Sequence, residues 1–198
     1  MRDTVKATLS AGLIFALLIA QSQVLYGQEP ASNAAPPSSP APQSAEQIQA
    51  LVAPIALYPD ALVAQVLSGA TYPDQIALAQ NWLLENKDLT GQALMQEVDK
   101  QSWDPSVKAL TAFPSVLDNM AKNLAWTSEL GEVYNHQPSD VMQAVQALRV
   151  KAKNAGNLKT TSQVTVVQQS PSTIVIQPAN PQVIYVPEYN PAVIFGTP

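Results

Sequence analysis

Proline set just ahead of an apolar run is the feature that most constrains how this chain can fold. Pro59, Pro73, Pro105, Pro114 and Pro138 each head a stretch whose apolar residues recur at helical spacing. Proline lacks an N–H and its φ is already near the helical value, so it suits the first turn of an α-helix. Two of these marks belong to the same tripeptide: Tyr58-Pro59-Asp60 and Tyr72-Pro73-Asp74 lie fourteen residues apart. Asp60 and Asp74 then fall in first turns, where the helix dipole favours negative charge. Asp104, before Pro105, is a good N-cap.

Marks and periodicity together predict eight helices, over roughly 45–57, 59–69, 73–86, 90–101, 105–112, 114–125, 127–136 and 138–155. Each is too short to be stable alone in water, so they must share a core. We assign to it Leu62, Val63, Val66, Leu67, Ile76, Ala79, Leu83, Leu94, Val98, Leu110, Val116, Leu117, Leu124 and Leu130. Trp82, Trp103 and Trp126 are expected to pack across helix contacts. The last helix carries Val141, Val145, Leu148 and Ala152 along one face and ends with Arg149, Lys151 and Lys153 before Gly156. Basic side chains suit a helix C-terminus, and this cluster, with Lys159, is read as that and no more.

After Gly156 the pattern changes. Gln163–Gln168, Thr173–Gln177, Gln182–Val186 and Ala192–Phe195 are β-branched and aromatic, with Pro and Asn between them. These are strand signals with turn breakers. Asn180-Pro181-Gln182-Val183-Ile184 and Asn190-Pro191-Ala192-Val193-Ile194 repeat with a period of ten. The expected fold is α+β: a multi-helix domain over 45–156, then a small antiparallel β meander over 163–196. Pro178, Pro187 and Pro191 belong at strand ends or edges, because they cannot donate to a ladder.

Ahead of the helices, residues 1–27 read as a secretory signal peptide. Arg2 and Lys6 give a positive start, Ala11–Ala20 is an unbroken run of small and apolar residues, and Leu25-Tyr26-Gly27 offers a cleavage point. The run is shorter than a bilayer span needs, and only an uncleaved signal would hold the protein to a membrane. Residues 28–44, with Pro30, Pro36, Pro37, Pro40 and Pro42, read as a disordered linker. The expected location is therefore outside the cytoplasm: the periplasm, the outer envelope or the extracellular space. With no cysteine, neither disulfides nor a lipidated cysteine is available.

Charge and composition exclude several functions. The 198 residues carry a net charge of −5, which becomes −6 once residues 1–27 are removed. Nucleic-acid binding is disfavoured, because it needs clustered Lys and Arg. One histidine, His136, and no cysteine cannot build a zinc site, and no calcium loop is present. There is no Gly-x-Ser-x-Gly to set a serine against His136. No catalytic residue, metal site or cofactor is assigned.

The remaining enzymatic idea is a carboxylate pair, Asp60 and Asp74, working on a glycan or peptide of the envelope. It needs both carboxyls on one cleft. A helix N-terminus stabilises the charged carboxylate, however, whereas a general acid must hold its proton. For ligand binding the candidates are Tyr58, Asp60, Tyr72, Asp74, Trp82 and Trp103. A second expectation is that Ile184, Tyr185, Val186, Tyr189, Val193 and Phe195 form an open β edge that accepts a strand from a partner.

Four segments closely resemble one bacterial family. They are ALYPD at 56–60, Trp-Asp-Pro-Ser-Val-Lys-Ala-Leu at 103–110, Ala-Gly-Asn-Leu-Lys at 155–159 and Val-Ile-Tyr-Val-Pro at 183–187. The chain is similar over about residues 45–196 to the family known as domain of unknown function 3300. The resemblance implies an exported envelope protein with no assigned reaction, so no catalytic residue carries over. Many members continue into a tail rich in Tyr, Pro, Gly and Trp, which this sequence, ending at Pro198, does not include. The expected function is a non-enzymatic binding or scaffold module whose partner is an envelope protein or a cell-wall component. An envelope hydrolase and an assembly subunit are the alternatives.

Overall fold

A computed structural model describes residues 42–195. The expected signal peptide of residues 1–27 and the part of the expected linker before Pro42 lie outside the described residues. Eight helices come first: α1 (Ala45–Val52), α2 (Asp60–Ala70), α3 (Pro73–Glu85), α4 (Gly91–Asp99), α5 (Pro105–Leu110), α6 (Pro114–Lys122), α7 (Leu124–His136) and α8 (Pro138–Asn154). A hairpin of β1 (Val164–Ser170) and β2 (Thr173–Pro178) follows, then a short helix, α9 (Pro191–Phe195). The fold is α+β.

The helix starts follow the proline marks. Pro73, Pro105, Pro114 and Pro138 are the first residues of α3, α5, α6 and α8. Pro59 stands one place earlier relative to its helix, as the N-cap of α2. Ser44 caps α1 reciprocally with Gln47: the Ser44 hydroxyl accepts from the Gln47 N–H, and the Gln47 side chain accepts from the Ser44 N–H. α1 ends at Val52 instead of continuing to residue 57, and residues 53–57 run on as turns. Ala53 still has helical dihedrals, but Pro54 has no N–H with which to continue the helical ladder.

α1 lies along α8, while α2 is covered by α5 and α7, and α3 by α6 and α7. Leu62, Leu67, Ile76, Leu110, Leu117, Met120 and Leu130 are shut away from water at their common centre. α7 crosses the end of α2 at Gly131, where an added Cβ would fall 2.1 Å from the Ala70 carbonyl oxygen. Only glycine permits that approach. Most of the expected core is buried, but Leu83 and Leu94 are half-buried and Leu124 is exposed at the first residue of α7. Trp82 and Trp103 meet edge to face at 5.7 Å, and the Trp126 indole donates to the Leu51 carbonyl at 2.9 Å.

The expected meander is a single hairpin. β1 and β2 pair antiparallel, with Val166 opposite Ile176 and Val167 opposite Val175. Ile174 and Ile176 point into the core. Gln182–Val186 and Ala192–Phe195 are not strands. At Asn180 and at Asn190 the side-chain oxygen accepts the backbone N–H two residues on, at Gln182 and Ala192. The first of these turns yields only a lone bridge between Asn180 and Val183. The second places Pro191 at a helix start and launches α9, just as Asp104-Pro105 launches α5.

Candidate functional site

The two tripeptide copies sit in different surroundings. Tyr58 is buried and Asp60 meets Arg149, whose side chain is 2% exposed. The Arg149 guanidinium donates to the Asp60 carboxylate at 2.5 Å, and to the carbonyls of Ala56 (2.8 Å), Tyr58 (3.0 Å) and Ile174 (2.9 Å). One planar cation thus ties α8 to the turn before α2 and to β2, a use that suits its fixed fork of donors. Arg149 is therefore not a surface charge at a helix end. Burial, with Glu188 nearby, pushes the Tyr58 hydroxyl above its ordinary titration range.

The second copy is at the surface. Tyr72 and Asp74 are exposed. Gln75, the next residue, accepts the Asp104 N–H at 2.6 Å. The Ser106 hydroxyl, at 2.5 Å, is the main reason the Asp104 carboxyl lies below its usual range. Asp60 is the first residue of α2, whose 11 residues rise about 16 Å, and Asp74 lies in α3 beyond the far end of that helix. A glycosidase pair needs roughly 5–9.5 Å, so these two do not share a cleft. Of the proposed ligand residues, Trp82 and Trp103 come together, Tyr58 and Asp60 are absorbed into the structure, and Tyr72 and Asp74 remain open.

The expected β edge has no ladder to offer. Ile184, Tyr185 and Val186 lie outside any strand, Val193 is in α9, and Phe195 in the same helix is buried. Tyr189 is fixed: its hydroxyl donates to the Ala53 carbonyl at 2.8 Å and accepts from the Leu57 N–H, with its ring edge-on to Phe195. Burial drives its hydroxyl well above the ordinary range. Side chains take up four of the outward N–H groups of the real hairpin. Gln146 and Asp60 accept the N–H groups of Ile174 and Ile176, and Thr160 and Thr161 accept those of Val166 and Val164.

A site that sequence reasoning missed lies between the end of α3, the start of α4 and the α5–α6 junction. It is an open groove of about 600 Å³, within the range of ligand pockets. Leu83, Leu84, Leu89, Leu94, Met95 and Pro114 give it an apolar wall. Leu84 is 52% exposed. Gln80, 8% exposed, is also in the wall. Its Nε2 donates to Asp118 at 2.9 Å, while its Oε1 is buried with no partner among the described residues. Native buried polar atoms almost always find one. The available signal was Gln80 itself, a polar residue on the Ile76–Ala79–Leu83 side of α3.

Other groupings offer less. His136 is exposed, 2.8 Å from the Glu132 carbonyl oxygen. Among the described residues, no three His, Cys, Asp or Glu side chains gather around a common point for a metal ion. No described helix is long and apolar enough to cross a membrane.

Comparison with known proteins agrees with the resemblance. An uncharacterised Escherichia coli (strain K12) protein, YacH, is 41% identical over 152 residues, which is 75% of this chain and 25% of YacH. The chain thus spans about a quarter of that relative's length. No solved structure matches. The family described as Protein of unknown function (DUF3300) matches residues 44–198, the span from the N-cap of α1 onward. The chain belongs to that family.

Proposed function

We propose that this protein is an exported cell-envelope module that binds a partner without catalysis, using the groove between α3, α4 and α6. The observation that carries the reading is an apolar wall that includes Gln80, whose buried Oε1 has no partner among the described residues. Apolar lining with few polar groups is the usual composition of a binding site. Of the candidate carboxylate pair, Asp60 is engaged by Arg149 and Asp74 lies exposed in a different helix. Export is supported by the apolar run Ala11–Ala20 behind Arg2 and Lys6.

The test is photo-cross-linking in intact cells, with the photoreactive residue at position 84. A distinct envelope adduct, lost when Met95→Glu is added, is the expected result. When the full sequence is expressed, recovery of a chain shortened near residue 27 in the periplasmic or outer-envelope fraction is expected for export. Turnover of a cell-wall glycan or peptide, abolished by Asp60→Asn with Asp74→Asn, would overturn the non-catalytic reading.

A further inference from the structure

Resting on that reading of the groove, we propose that its ligand is the carboxy-terminal end of an apolar peptide. Three features of the wall, at different places, ask for three chemical groups.

The first is a hydrogen-bond donor. Gln80 cannot turn its amide over without loss, because Nε2 is held by Asp118, which in turn takes the Lys122 ammonium at 2.7 Å. The reversed amide would set its oxygen against a carboxylate. Gln80 therefore offers the groove an acceptor, and the ligand must bring an N–H or O–H. The oxygen is shut off from water, so a donor reaches it as the groove side chains shift. Met95, with a flexible unbranched side chain, is suited to that.

The second is a negative charge. Lys87, Thr90 and Gly91 line the groove where α4 begins. No side chain caps the first turn of α4 and no acidic residue lies in it. Its free N–H groups and the Lys87 ammonium form a positive end. No carboxylate is among the lining residues. The third is apolar bulk, for Leu83, Leu94 and Met95.

Only some ligands bring all three. A fatty acid has bulk and charge but no inner donor. An internal peptide segment has donor and bulk but no charge at the right place. A peptide C-terminus carries backbone N–H groups, apolar side chains and a terminal carboxylate, and capture of that carboxylate by backbone N–H groups is an established mode of recognition.

The experiment uses the full chain and an N-terminally fluorescein-labelled Leu-Ile-Val-Leu peptide, read by fluorescence anisotropy. Saturable binding of the free acid is expected, with affinity about tenfold lower for the C-terminal amide and for Lys87→Gln. Leu84→Asp, a change at an exposed rim position, should abolish binding without lowering the melting temperature. Gln80→Leu should weaken binding while leaving the melting temperature unchanged or raised, because it removes an unpartnered buried oxygen. Equal affinity for acid and amide, unaltered binding by Leu84→Asp, or tighter binding of dodecanoate than of the peptide overturns the proposal. If no peptide binds but the cross-linked adduct at position 84 persists, the groove remains the binding site and the peptide terminus is the wrong ligand.

Discussion

In Tyr58-Pro59-Asp60 the proline is the N-cap of α2 and the aspartate its first residue; in Tyr72-Pro73-Asp74 the tyrosine is the cap and the aspartate the second residue of α3. That single-residue offset rotates each side chain by about 100° around its helix. Tyr58 is 7% exposed and Tyr72 40%. Asp60 meets a buried arginine, whereas no ion pair is formed by Asp74 among the described residues. A shared tripeptide thus fixes that a helix begins without fixing what its side chains do. Their distant neighbours differ too: Arg149 at the first copy, and Gly131, packed against Ala70 and Thr71, just ahead of the second.

The widest contrast between the copies should come from Arg149→Met. It strands three buried carbonyls and Asp60, and should cost about 3–5 kcal/mol in equilibrium urea unfolding. A loss under about 1 kcal/mol would show that the first copy is held by apolar contacts alone. Gly131→Ala is the matching break at the second copy. Its Cβ meets backbone, so α2 and α7 must separate, at a cost of about 2–3 kcal/mol. Asp60→Ala should cost about 1–2 kcal/mol, limited by the carboxylate's 43% exposure.

Asp104→Ala, beside the second copy, should cost about 1 kcal/mol through the lost cap. The folded carboxyl titrates below the unfolded one. Its contribution is therefore present above about pH 4 and lost as pH falls through the lower folded value. Wild type and Asp104→Ala should converge in stability in acid. Asp74→Ala is the smallest change, under about 0.5 kcal/mol. If it matched Asp60→Ala, the two copies would be equivalent after all.

The helix order was legible because a proline at a first turn is a local signal, readable without knowing what lies opposite. Residues 182–186 and 192–195 misled because Val-Ile after Asn-Pro carries strand propensity. Asn190-Pro191 has the cap-and-proline form of Asp104-Pro105 and starts α9, whereas Asn180-Pro181, with the same form, starts no helix. Arg149 was obscured for a physical reason. A cation near a helix C-terminus already has a sufficient explanation in the dipole, and its true partners lie 89 to 93 positions earlier and 25 positions later. The groove was hidden for the opposite reason: Leu94 and Leu83 read as core, and only the folded arrangement leaves them half open.

Arg149 also sets an order of events in time. The carbonyls of Ala56 and Tyr58 leave the ribosome about ninety residues ahead of the guanidinium that will satisfy them, an interval of about 5–20 s at ordinary rates of synthesis. α1 waits equally long for α8, on which it rests. During that interval the first helices can collapse among themselves but cannot finish, because closing so long a loop must precede its reward. The arginine acts as a late latch, and a chain cut short before residue 149 would leave the doorway to α2 standing open.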